Sequence, residues 1–237
     1  MKAFEDIVIG KSSIPALGIT VFLMLALPVC FFLYWLKSHK AQTKITWLIA
    51  GAAGFLISAR VLELGVHYVC ITADNPVSRF INGNTAAFVL YGIGHGGIEV
   101  LSVLLPAMIL YLAIAVLFSR GDTESALKAL NITEETAAAA LPSVQAAAAF
   151  DYGMMAMNVI ERVFAMLLHI GLSVIVCYGV VRGKKGALPT AILLHMLMDT
   201  FPALYQRGLV PLWAAEVWGA FWAAAVTYLA AKLYKKI

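Results

Sequence analysis

Long apolar runs separated by short charged clusters set the plan of this chain. A helix that crosses the roughly 30 Å hydrocarbon core of a bilayer takes about 20 predominantly apolar residues. Six stretches meet that demand: Ile14 to Leu36, Ile45 to Ile71, Ala86 to Phe118, Tyr152 to Val181, Ala187 to Tyr205 and Val210 to Leu233. The runs are continuous and rich in Ala, Leu and Met, whereas strands of a membrane barrel would alternate over about 10 residues. The pattern predicts an all-α fold, a polytopic transmembrane helical bundle of about six spans.

Residues 1–237 are expected to form a single transmembrane domain with one polar, interfacial excursion at about 119–150. In that excursion Asp122, Glu124, Glu134 and Glu135 accompany Asp and Thr residues of the kind that start helices. The following segment, Thr136 to Phe150, is Ala-rich and holds Pro142. At 1.5 Å per residue it is too short to cross the core, so a surface or re-entrant helix is expected there. Within the third apolar stretch, Gly92, Gly94, Gly96 and Gly97 lie near the start and Pro106 in the middle, which predicts a tilted or kinked helix.

Composition fixes the solvent. Charged residues make up 13% of the chain, about half the share in an ordinary soluble domain, so a multi-pass position in the cell membrane is expected. The first apolar run is followed by Lys37 and Lys40 rather than by a small-residue cleavage site, and is expected to remain as a span. The net charge of +4 sits at loop ends, without the mixed aromatic and basic surface that nucleic acid needs. The bilayer is therefore an expected partner and nucleic acid is not.

Three basic clusters carry orientation: Lys37, Lys40 and Lys44; Arg182, Lys184 and Lys185; and Lys232, Lys235 and Lys236. The positive-inside rule places such clusters on the cytoplasmic face, which six spans do not allow for all three. Trp35, Trp47, Trp213, Tyr205, Tyr228 and Tyr234 lie near span ends and read as interface anchors. Cys30, Cys70 and Cys177 fall inside apolar runs without metal-type spacing and read as small buried hydrophobes.

Ionisable groups inside the bilayer cost several kcal/mol unless paired or wetted, so they mark candidate sites. His95 and Glu99 are one helical turn apart, and His195 and Asp199 repeat the spacing. Glu161 adjoins Arg162, and His169 lies within about 20° of Arg162 around the helix. Arg60, Glu63 and His67 form a further stripe, read as an ion pair bracing the bundle; His169 reads as a bridge to a neighbouring helix. The candidate site residues are thus His95, Glu99, Glu161, Arg162, His195 and Asp199. Such a set on facing helices either holds a divalent metal or activates water without one.

Three strings carry a family resemblance: YGIGHGGIE (Tyr91 to Glu99), IERVFAMLLHI (Ile160 to Ile170) and LLHMLMDTFPALYQ (Leu193 to Gln206). Over most of the chain it resembles the bacterial YhfC family of intramembrane proteases. That family is similar to the CAAX-protease and bacteriocin-processing clan, whose motifs are E-E-x-x-x-R, F-x-x-x-H and H-x-x-x-N. Tyr91-x-x-x-His95 matches the second with Tyr for Phe, and His195-x-x-x-Asp199 the third with Asp for Asn. The first motif has no counterpart, because no pair of adjacent glutamates lies in any span. A lost span would also account for the charge conflict, since seven spans put the Lys37, Arg182 and Lys235 clusters on one side.

The resemblance implies a glutamic-type peptidase of the bacterial plasma membrane. It would act on membrane-embedded or lipidated peptides, with no cofactor and no metal. In the clan a glutamate acts as general base on water while the histidines and the third-motif residue position it and stabilise the oxyanion. Carried to this chain, His95 and His195 position water, Asp199 orients or polarises it, and Glu99 or Glu161 replaces the absent base with Arg162 bracing Glu161. A degenerate relative that binds a membrane peptide or partner helix without turnover is the alternative. A small transporter ranks below both, for want of an internal repeat.

Overall fold

The computed structural model describes residues 2–39, 45–58 and 86–237. Among these the chain is helical throughout, with no strand. The helices are α1 (Ser13–His39), α2 (Ile45–Ser58), α3 (Ala86–Glu99), α4 (Leu105–Phe118), α5 (Thr123–Ala129), α6 (Glu134–Ala149), α7 (Tyr152–Val181), α8 (Ala187–Gln206) and α9 (Leu212–Tyr234). Among the described residues, five helical stretches are long and apolar enough to cross a membrane: Ser13–His39, Phe88–Phe118, Tyr152–Val181, Ala187–Tyr205 and Leu212–Tyr234. The span expected from Ile45 to Ile71 begins as α2, and its remainder, with Arg60, Glu63, His67 and Cys70, lies outside the described residues. This is a multi-pass membrane protein with a polytopic helical architecture. Trp213, Val217, Phe221 and Tyr228 show how the helices meet lipid. They recur at helical spacing along α9 and are all exposed, an apolar face of the kind that water does not tolerate on a monomer.

The kink expected in the third stretch is a change of helix type. Between α3 and α4, Val100–Leu104 is a five-residue π-helix. Pro106, at the start of α4, has no N–H to give to the carbonyl of Ser102 and its ring crowds that carbonyl. A wider turn relieves both demands.

Two compact units make up the chain. One comprises Met1–Ala26 and Leu101–Ile160. Its core joins Phe4, Ile114, Phe118, Leu127 and Val144, so the polar excursion folds as α5 and α6 with apolar sides packed inward. Asp122 caps α5 by accepting the Ser125 N–H at 2.9 Å, a bond that holds its carboxyl below the usual carboxylate range. At the start of α6 the Thr133 N–H donates to Thr136 Oγ1 at 2.9 Å. The Ala148 carbonyl, left without an intrahelical donor at the end of α6, accepts from Ser13 Oγ at 2.7 Å and from the Gly10 N–H at 3.0 Å.

The other unit comprises Leu27–Val100 and Glu161–Ile237. Leu168, Leu172, Ile175, Ala191, Met198 and Val226 bring α7, α8 and α9 together. The Trp218 indole N–H donates to the Leu197 carbonyl at 2.6 Å and its ring stacks on Phe201, with centroids 4.4 Å apart. That bond sits beside the turn where Pro202 withholds a backbone donor. Glycines set the spacing of α3. A Cβ on Gly92 would meet the Ile170 backbone and one on Gly94 the Leu48 carbonyl, so α7 and α2 approach α3 at backbone distance, as small residues permit between membrane helices.

One end of this unit collects the basic clusters. Arg182, after α7, donates to the Lys236 carbonyl, and Trp35, near the end of α1, meets Tyr234 of α9 edge-on at 6.4 Å. Lys37, Arg182 and Lys235 therefore lie at a common end, the arrangement that the positive-inside rule demands. Lys40 and Lys44 lie outside the described residues.

Candidate functional site

The polar residues of the second unit meet where α3, α7 and α8 pack. Gly92 and Gly96, one turn apart on α3, admit α7 so closely that a Cβ on Gly96 would lie 2.9 Å from Met166 Sδ and 3.3 Å from the His169 ring. This closeness puts His95 and Glu99 of α3 beside His169 of α7. The His95 and His169 ring centroids are 4.7 Å apart, and His169 lies 5.1 Å from His195 of α8. Three imidazoles from three helices thus stand in a row, with His169 between the other two. His169 precedes the end of α7 by roughly 18 Å of helix and His195 follows the start of α8 by roughly 12 Å, depths inside a hydrocarbon core about 30 Å thick.

Carboxylates organise the row. Glu99 Oε2 lies 2.5 Å from His169 Nε2, a short charge-assisted contact. Its other oxygen, Oε1, lies 3.8 Å from Arg162 Nη1. Arg162 also donates to Glu161, so one guanidinium serves two acids, and its side chain is only 11% exposed. Asp199 holds His195, with Oδ2 at 2.8 Å from Nδ1. This bond assigns the Nδ1 proton of His195 and orients its ring. Exposure grades across the cluster: 7% for the His169 side chain, 24% for Glu99 and 61% for Asp199.

All six residues singled out from the sequence fall in this unit, joined in two bonded sets. Glu99, Arg162 and Glu161 form a chain with His169, and His195 and Asp199 form a pair whose ring meets His169. His95 enters through ring contact with His169. The reading of His169 as a bridge to a neighbouring helix holds in form, but its partner is Glu99, which makes it the link between the α3 and α8 pairs. Glu216 of α9 escaped the sequence reading. It lies within electrostatic reach of Glu161 and Arg162, and its Oε2 is buried without a hydrogen-bond partner among the described residues, as is Arg162 Nε. A lone acid in an apolar run, with no companion at helical spacing, gave no signal beyond its cost in lipid.

Comparison with known proteins places the chain in a family. A family model described as YhfC intramembrane metalloprotease matches residues 82–218, more than half of the chain. The chain belongs to the YhfC family. It is similar to the uncharacterized membrane protein YhfC of Bacillus subtilis (strain 168), with 25% identity over 235 residues covering 85% of this chain and 88% of that protein. No solved structure matches it. The matched region runs from before α3 into α9 and takes in the whole histidine row.

The family description implies a metal, and the donor atoms test that. Among the described residues, no group of three or more His, Cys, Asp or Glu side chains is disposed to hold an ion. His169 Nε2 is engaged by Glu99, and a guanidinium shares the Glu99 carboxylate. Metal ligands converge on one point as deprotonated donors. Among the described residues the arrangement does not fit a metal-ligand set.

Proposed function

We propose that this chain is an intramembrane peptidase that hydrolyses peptide bonds of membrane-embedded or lipidated substrates, with Glu99 as general base. The observation that carries the reading is the 2.5 Å contact of Glu99 with His169, with His195 alongside, on helices long and apolar enough to cross a membrane. Glu161 is the weaker candidate for the base, because its bonded partner is Arg162 rather than an imidazole. In chain order the assembled groups are Glu99, His169 and His195-x-x-x-Asp199. That is the order of acid, histidine and H-x-x-x-N in the clan that the sequence resembles. Glu99 then stands in for the glutamate of the absent first motif, and His169, with Ala165 where the second motif has an aromatic residue, takes the histidine's place in this reading although His95 carries the motif.

Protein side chains and water carry the chemistry in this reading. Glu99 takes a proton from a water held beside His169, and the water oxygen bonds to the substrate carbonyl carbon. His195, its Nδ1 proton given to Asp199, turns its accepting Nε2 to the same water and orients it for attack. The C–N bond then breaks and the proton on Glu99 passes to the departing amine nitrogen. Arg162 balances the charge of Glu99 and Glu161 throughout, and His95 packs the far side of His169.

Purified chain in vesicles, incubated with internally quenched transmembrane and lipidated peptides, tests this reading. Cleavage is expected, and His169→Ala and His195→Ala should each lower it by about 10²–10⁴ while the variants melt as the parent does. A chelator should leave turnover intact. Peptide binding without cleavage would favour the non-catalytic alternative, and chelator-sensitive turnover restored by zinc would replace this mechanism with a metal-dependent one.

A further inference from the structure

Arg162 Nε, a donor, and Glu216 Oε2, an acceptor, are both buried without a hydrogen-bond partner among the described residues. The Trp222 indole N–H is unpaired too, but Arg162 and Glu216 differ from it in lying within electrostatic reach of each other and of Glu161. Helix register explains why they meet. Arg182, just past α7, donates to the Lys236 carbonyl, just past α9, so the two helices end together. A Cβ on Gly171 would lie 2.7 Å from Val226 Cγ1, which shows that they also run side by side in parallel. Arg162 precedes Arg182 by twenty residues and Glu216 precedes Lys236 by the same number. Both therefore stand roughly 30 Å of helix away from the basic end, about the thickness of a hydrocarbon core.

From that level a polar file leads to the histidine row. Arg162 donates to Glu161 and pairs with Glu99, and Glu99 reaches His169. Beyond His169 the character of the helices changes. No charged residue occurs between His169 and Arg182, or between Glu216 and Lys232, and Leu172, Val174, Ile175, Val176 and Cys177 are buried. Along α7 and α9 the row is thus approached by charged groups from the far end and by packed apolar side chains from the basic end.

Arg162 is about nine-tenths buried, and a buried donor left unmade is costly. A molecule that accepts from Arg162 Nε and donates to Glu216 Oε2 relieves both atoms, and water does both. A buried water needs two to four polar partners, and Glu161 and Glu99 supply more of them. Their side chains are 35% and 24% exposed, on helices where a carboxylate turned to lipid is costly. We propose that Glu216, Arg162, Glu161 and Glu99 line a water-filled inlet that opens on the face opposite the basic end and leads to the histidine row. By the positive-inside rule that face is the extracytoplasmic one. That the hydrolytic water arrives by this inlet rests on the peptidase reading; the inlet itself does not.

Thiol accessibility in vesicles of known sidedness tests the inlet. Single cysteines at Glu216, Val217 and Lys236 would be placed in the full-length chain with its three native cysteines replaced by alanine. A charged, membrane-impermeant methanethiosulfonate would then be added to one face or the other. Such reagents attack the thiolate, which apolar surroundings suppress. Glu216→Cys should react about tenfold faster than Val217→Cys, although Val217 is 63% exposed on the apolar face of α9. It should react from the face opposite the one that labels Lys236→Cys. The unsubstituted chain supplies a second measurement that depends on no variant. A water-soluble carbodiimide with an amine should modify Glu216, mapped by mass spectrometry, more than lipid-soluble dicyclohexylcarbodiimide does. Neither readout needs turnover, so labelling as expected in a chain that cleaves no peptide would support the inlet while contradicting the peptidase reading. Glu216→Cys reacting no faster than Val217→Cys, entry from the Lys236 face, or modification of Glu216 by the lipid-soluble reagent alone would overturn the inlet.

Discussion

Arg162 stands between two acids, Glu99 and Glu161, with Glu216 in electrostatic reach. Sheltered within the helices, these carboxylates depend on the guanidinium to offset their charge. Removing one partner of a buried ion pair typically costs about 3–5 kcal/mol. Arg162→Met is expected to lower unfolding stability by that order, measured by thermal or denaturant unfolding in a fixed detergent. Arg162→Lys should recover only part of it, because an ammonium lacks the fork that reaches two acids at once. Unchanged stability in Arg162→Met would mean that the acids draw their compensation from elsewhere.

Helix packing makes a sharper demand on Gly92 than on Gly96, although both face α7. A Cβ on Gly92 would lie 2.5 Å from the Ile170 Cα, whereas one on Gly96 would first meet Met166 Sδ, the mobile end of a side chain. Gly92→Ala should therefore cost roughly 1–3 kcal/mol by overpacking and Gly96→Ala distinctly less, in the same unfolding assay. Equal losses would contradict the backbone contact. The α5 cap offers a pH test. Because the Asp122 carboxyl is held below its usual range by the bond from Ser125, the cap is intact above the ordinary aspartate pKa and is lost as pH falls through the lowered value. Exchange of the Ser125 amide, corrected for its intrinsic rate, should accelerate over that acid interval in the parent and show no such transition in Asp122→Ala.

The elements were readable from the chain wherever one physical demand ruled. Apolar length alone marks α1, α7, α8 and α9, and Pro106 with the nearby glycines marks the irregular helix, though not that it would take π form. Spacing also told which polar residues share a helical face, as for His95 with Glu99. It did not tell which face meets which. His169 is seven residues from Arg162, yet its significance depends on Glu99, seventy residues away on another helix. Glu216 depends likewise on α7, and only packing reveals either relation.

For the molecule in its membrane, the second unit predicts sidedness. Cysteines placed singly at Lys37, Arg182 and Lys236 should react with a membrane-impermeant maleimide from the same face of intact cells or oriented vesicles. Labelling of any one from the opposite face would contradict the contacts that join Arg182 to Lys236 and Trp35 to Tyr234.

Glu99 decides the account. Turnover of a membrane-embedded peptide by vesicles carrying Glu99→Gln, set beside vesicles carrying equal amounts of Glu161→Gln, measures the claim that Glu99 is the base. Turnover by Glu99→Gln should fall by about 10²–10⁴ while Glu161→Gln keeps most of the parent rate. Equal rates in the two variants, or loss confined to Glu161→Gln, would contradict that claim.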